Sequence, residues 1–159
     1  MSTSDNRDPA RDDRPRNTRE NNGASRGRSP SPEGCIAVTA ERGYYHFDRL
    51  FIKRSLRPSE FFTTMRGTLH IPRLGKERLQ NEAETLRFIR SKTNIPVPTV
   101  HGAFDVDDSY YLITDYVQGT SMSRLSDAEK EIVRGELFQH LATLRELKSD
   151  TIGGPTGIV

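Results

Sequence analysis

In Lys76-Glu77-Arg78-Leu79-Gln80-Asn81-Glu82-Ala83-Glu84-Thr85-Leu86-Arg87-Phe88-Ile89-Arg90-Ser91 the apolar residues Leu79, Ala83, Leu86 and Ile89 recur at helical spacing. At 100° per residue they cover about a third of the circumference, the stripe that a helix buries. With Leu79 set at 0°, Glu82 falls at about 300°, between Ile89 at about 280° and Leu86 at about 340°. A carboxylate therefore lies inside the apolar stripe. Burying it unpaired is costly, so either that edge is wet or a basic residue from another element meets it. Glu84, at about 140°, points away from the stripe and reads as solvated.

On the N-terminal side of this helix, Ile36–Val38, Tyr44–Phe47 and Leu50–Lys53 read as short strands punctuated by Gly43 and Asp48-Arg49, the pattern of an antiparallel meander. Lys53 closes the third strand behind Leu50-Phe51-Ile52 and is the candidate partner for Glu82. A charged connection containing Pro58 and Pro72 runs from there to Gly75, with Phe61-Phe62 and Leu69–Ile71 as the pieces expected to order against the core. On the C-terminal side, Asn94 and Ile95-Pro96-Val97-Pro98 end the helix, because a residue before proline is pushed out of the helical region. Thr99–Phe104 and Tyr110–Tyr116 then form a hairpin across the polar turn Asp105–Ser109, and Gly119 breaks the pattern. Ser126 and Glu129 have the spacing of a capping box ahead of Val133, Leu137, Leu141 and Leu144. They predict a helix from about Asp127 to Lys148, whose apolar surface is broadened by Ile132, Phe138 and Leu147, so that it wants more than one packing partner. The expected fold is α+β: an antiparallel sheet of about five strands with one packed helix, followed by a second helix.

The chain has 159 residues, one ordinary domain with a modest core. Before Cys35 the only apolar residues are Met1, Ala10 and Ala24, and seven arginines alternate with six acids. Residues 1–34 cannot offset their ordering entropy by burial and are expected to be a disordered polar tail. Within it, Arg26-Gly27-Arg28-Ser29-Pro30-Ser31-Pro32 reads as a solvated leader before it reads as a docking or phosphorylation site. The net charge of +2 comes from 24 basic and 22 acidic side chains interspersed along the chain, so no nucleic-acid or anionic-membrane partner is implied. The single cysteine, Cys35, excludes an intramolecular disulfide framework, and the four histidines lack metal-ligand spacing. No apolar run approaches membrane-span length, and a cytoplasmic location is expected.

On Lys53 and Glu82 alone the plainer reading is favoured: a lysine snorkelling from a strand end and a solvated helix acid. The order of parts changes the balance. Leu50-Phe51-Ile52-Lys53, then Asn81-Glu82-Ala83-Glu84-Thr85-Leu86-Arg87-Phe88-Ile89, then Ile95-Pro96-Val97-Pro98, then Tyr111-Leu112-Ile113-Thr114-Asp115-Tyr116-Val117-Gln118-Gly119 follow one another as strand, lysine, helix with inward acid, proline segment, hairpin and hinge. In that order and spacing, from Leu50 to Gly154, the chain resembles the aminoglycoside-phosphotransferase family of kinase-like enzymes, and within it the fungal phosphotransferase-like members.

The resemblance implies a kinase-like N-lobe over 35–119, with the hinge and the start of a second lobe over 120–159. It implies that the nucleotide is ATP, that Lys53 holds its α and β phosphates, and that Glu82 fixes the lysine. It further implies that the backbone of Thr114, Asp115 and Tyr116 receives the adenine edge with Ile113 behind the ring. Two departures accompany it. No G-x-G-x-x-G loop precedes Lys53, and Glu41-Arg42-Gly43-Tyr44-Tyr45 is the candidate phosphate-covering turn. The family's H-G-D-x-x-x-x-N catalytic loop and later metal-binding aspartate do not occur in the sequence, so Mg2+ and a small-molecule acceptor are expected only for a full-length relative. Turnover by these residues alone is expected to be negligible. The alternative is a non-catalytic binding or regulatory module that docks on another protein, or on a second copy, through the helix 127–148.

Overall fold

The computed structural model of the chain describes residues 33–148, 150 and 153–157. The tail expected over 1–34 lies outside the described residues except for Glu33 and Gly34. Gly34 belongs to the sheet rather than to the tail: its carbonyl accepts the His46 N–H at 2.8 Å. Its φ of +71° favours glycine, and a Cβ there would stand 2.4 Å from the tip of the Phe47 ring, which would have to shift.

Five strands form a single antiparallel sheet: β1 (Cys35–Val38), β2 (Arg42–Phe47), β3 (Leu50–Ser55), β4 (Val100–Val106) and β5 (Ser109–Asp115). Their spatial order is β1-β2-β3-β5-β4. The meander thus continues into the hairpin through β5, which lies between β3 and its own partner β4. The β4–β5 turn is made by Asp107 and Asp108, both at positive φ (49° and 59°). That is the backbone a two-residue hairpin demands, and aspartate tolerates it better than most side chains.

Helix α1 (Gly75–Lys92) packs across β3, β4 and β5. Leu79 and Ala83 are fully buried on Tyr110 and Leu112 of β5, with Val100 and Ala103 of β4 beside them. Alternation along β5 puts Tyr110, Leu112 and Thr114 on this helix-facing side and Tyr111 and Ile113 on the other. The helix stops where Thr93 turns extended, its N–H and its hydroxyl both donating to the Ile89 carbonyl at 2.9 and 2.8 Å.

On the opposite face of the sheet, Arg54 is buried and donates to the Tyr45 hydroxyl at 2.9 Å and to both oxygens of Glu60 at 2.6 and 2.5 Å. The bond from Arg54 holds the Glu60 carboxyl below its usual range, and the same bond raises the guanidinium's affinity for its proton. This cluster ties the 3-10 turn Pro58–Glu60 to the sheet. Further along the connection the apolar pieces are less buried than expected. Thr63 and Leu69 form a bridge and the Phe62 and His70 rings lie 5.1 Å apart, while Phe62, Leu69 and Ile71 stay exposed.

Helix α2 (Asp127–Glu146) opens with the expected capping box, Ser126 N–H donating to Glu129 Oε2 at 2.8 Å and Glu129 N–H to Ser126 Oγ at 3.4 Å. It buries no residue, and Ile132 and Phe138 are 66 % and 63 % exposed.

Candidate functional site

Strand β3 alternates so that Phe51, Lys53 and Ser55 face α1, and the register pairs Lys53 with Tyr44 on one side and Leu112 on the other. The helix places Glu82 one turn beyond Leu79 on the same stripe as Leu86. The two charges meet: the Lys53 ammonium donates to Glu82 Oε1. The second oxygen, Oε2, accepts from Arg42 at 3.2 Å. Arg42 lies two residues from Tyr44 on β2, on the same face of the sheet as Lys53. The acid inside the apolar stripe is therefore both partly wet, at 27 % exposure, and doubly paired. These are the two conditions under which a carboxylate is tolerated there.

Beside this pair opens a hollow of about 320 Å³, lined by Phe51, Lys53, Glu82, Leu86, Pro98, Thr114, Asp115, Tyr116 and Val117. Five of the six residues expected at the site line it: Lys53, Glu82, Thr114, Asp115 and Tyr116. Ile113 does not. Strand alternation turns it to the far face, and the side chain at the back of the hollow is Thr114, whose hydroxyl donates to the Asp115 carbonyl at 3.2 Å. A larger hollow, about 680 Å³, lies between Phe88, Ile89, Leu144 and Leu147, but no carboxylate lines it. The smaller one joins an apolar wall to the Lys53–Glu82 pair that the sequence singles out, and that pair, rather than volume, makes it the candidate site.

The end of β5 and the residues that follow it are held from three sides. Thr99 N–H donates to Asp115 Oδ2 at 2.7 Å, and His101 Nε2 meets Oδ1 at 2.6 Å. These bonds, those from Thr99 first, hold the Asp115 carboxyl well below the usual carboxylate range. Tyr116 stacks on His46 with ring centroids 3.9 Å apart. The amides of Asp115 and Tyr116 are already donated to the carbonyls of Thr99, at 3.1 Å, and Arg49, at 2.7 Å. The expected use of the Thr114–Tyr116 backbone as a ligand edge is thereby narrowed: those two donors are occupied, and the next amide along, that of Val117, has no partner among the described residues.

The candidate phosphate-covering turn is also relocated. Gly43, Tyr44 and Tyr45 are mid-strand residues of β2, and the turn runs from Thr39 to Arg42. There the Thr39 hydroxyl accepts the amides of Glu41 at 3.2 Å and Arg42 at 3.1 Å. The Glu41 carboxylate binds Arg78 and His70. Two amides that would cradle an anion are thus already engaged.

Sequence reasoning missed Phe51, Leu86, Pro98 and Val117 as lining residues, and it placed Arg42 in the candidate phosphate-covering turn rather than against Glu82. The signal for Arg42 was the register of the meander: once Tyr44 is set opposite Lys53, Arg42 must share its face. In the sequence Pro98 reads as a helix stop and as part of the proline segment that carries the resemblance, not as a wall of the hollow. Scanned against protein-family models the chain matches none, and no curated protein matches it.

Proposed function

We propose that residues 35–119 form the nucleotide-holding lobe of a kinase-like, aminoglycoside-phosphotransferase-like small-molecule kinase, with 120–159 as its hinge and the start of a second lobe. The single observation that carries this reading is the meeting of Lys53 and Glu82 at the rim of a hollow closed by Thr114–Val117. An ammonium from a sheet, fixed by an inward helix acid, presents positive charge to a ligand's phosphates. The apolar walls Phe51, Leu86 and Val117 suit a flat base, and the open amide of Val117 supplies a donor for its edge.

The proposed role is holding ATP, not transferring its phosphate. The sequence contains no H-G-D-x-x-x-x-N loop. Among the described residues no group of three His, Cys, Asp or Glu is placed to hold a metal ion, and Mg2+ is proposed only for a full-length relative. Titration calorimetry with ATP tests the reading. Measurable affinity that is lost in Lys53→Ala supports it, and absence of heat with the wild-type chain refutes it.

The second reading, a docking module, is favoured by α2, where Ile132, Leu137, Phe138 and Leu141 are exposed along one helix. It predicts no nucleotide affinity and association through that helix.

A further inference from the structure

We infer that Arg42 is a positioning residue of this hollow: it keeps Glu82 neutralised so that Lys53 can turn to an incoming anion, which selects ligands carrying a polyphosphate over the bare nucleoside. The inference rests on the nucleotide reading.

The geometry divides the work between two cations. Arg42 and Lys53 stand on the same face of neighbouring strands and share one carboxylate, so that end of the hollow carries one positive charge more than it carries negative. They are not equivalent. The Arg42 side chain is 13 % exposed and does not line the hollow, whereas Lys53 is 26 % exposed and does. Arg42 is therefore the inner anchor and Lys53 the cation within reach of a ligand.

Were Lys53 the sole partner of Glu82, an anion that drew it away would strand a half-buried carboxylate and would face that carboxylate's repulsion. With Oε2 held by Arg42 at 3.2 Å, both penalties are reduced. A guanidinium suits this task, because it stays charged at any working pH and keeps its planar geometry when desolvated. The β1–β2 turn supplies an independent reason. Since Thr39 already takes the amides of Glu41 and Arg42, two donors of that turn are withdrawn from a backbone cradle. Recognition of phosphate at this end falls accordingly on side-chain charge.

The test is the affinity ratio of ATP to adenosine, measured by titration calorimetry on the full chain in magnesium-free buffer, for wild type, Arg42→Met and Arg42→Lys. Wild type is expected to prefer ATP. Arg42→Met should lower ATP affinity about tenfold while leaving adenosine unchanged, and Arg42→Lys should recover most of the loss. ATP affinity in Arg42→Met within twofold of wild type overturns the role of Arg42 and leaves the nucleotide reading standing. An equal loss for both ligands also overturns it, since a merely structural arginine would act that way. Wild type binding neither ligand refutes the nucleotide reading and this inference with it.

Discussion

Replacing Lys53 by methionine keeps the length and apolar stem of the side chain and removes only its charge. Stranding one partner of a fully buried ion pair costs about 3 to 5 kcal/mol, and separating a fully exposed pair costs about 0 to 1 kcal/mol. Lys53 and Glu82 are 26 % and 27 % exposed, between those limits, and Glu82 keeps its bond to Arg42 when Lys53 is lost. The expected cost of Lys53→Met is therefore about 1 to 2 kcal/mol, and that of Arg42→Met about the same. The double variant behaves differently, because only then is the carboxylate left with no cation inside an apolar stripe. Its cost should rise to about 3 to 6 kcal/mol, exceeding the sum of the single costs by about 1 to 2 kcal/mol. Urea unfolding of the four proteins, with equal slopes as the check on comparability, measures the cycle. Additivity within about 0.5 kcal/mol would show that the two cations do not back each other up. A cost of about 4 kcal/mol for Lys53→Met alone would show that Arg42 contributes nothing to Glu82.

Two further outcomes are expected. Asp115 and Glu60 both have folded-state affinities for protons below their ordinary values of 3.8 and 4.5, so the native state binds fewer protons than the unfolded chain. Their stabilisation is complete above those values and is lost progressively as pH falls below them toward the lower folded-state values; Asp115→Asn should flatten the acid limb of a pH series of thermal melts, and an unchanged limb would refute the assignment. Exposed Ile132 and Phe138 on α2 should make the chain associate with itself, so Ile132→Glu combined with Phe138→Glu should lower the sedimentation coefficient at high concentration, whereas a wild-type monomer at every concentration would sink the idea.

Where burial and period agree, the fold was legible. Leu79 and Ala83 recur with Leu86 at the helical period and are the residues that α1 buries, and the hairpin's Tyr110 and Leu112 complete the same core. Ser126 and Glu129 marked the start of α2 because a capping box is local chemistry that needs no tertiary partner. The ends of elements were less legible. Strand β3 runs past Lys53 to Ser55 because buried Arg54 is satisfied by Tyr45 and Glu60, and a charged residue does not announce a strand interior by its type. Segment 56–74 carries aromatic residues that suggest burial, but it is anchored by Leu56 and Pro72, both buried, and by the bidentate Arg54–Glu60 contact, while Phe62 stays exposed.

At the site, what could be read from one element was read, and what depends on the register between elements was not. Glu82 stood out as an acid in an apolar stripe and Lys53 as its candidate partner; the two meet, although β3 runs on to Ser55 and leaves Leu50 exposed and Phe51 and Ile52 only half-buried. Arg42 gave no sign of that pairing, because an arginine three residues after a threonine in a turn is unremarkable until β2 is set against β3. Ile113 failed for the converse reason. It is the apolar residue nearest the hinge, but strand period, not hydrophobicity, decides which face it serves, and one step along β5 exchanges it for Thr114. A back wall made by a small hydroxyl residue leaves more room than isoleucine would. Under the proposed nucleotide reading, discrimination among ligands then falls to the charged end, where Lys53 lines the hollow and Arg42 backs Glu82.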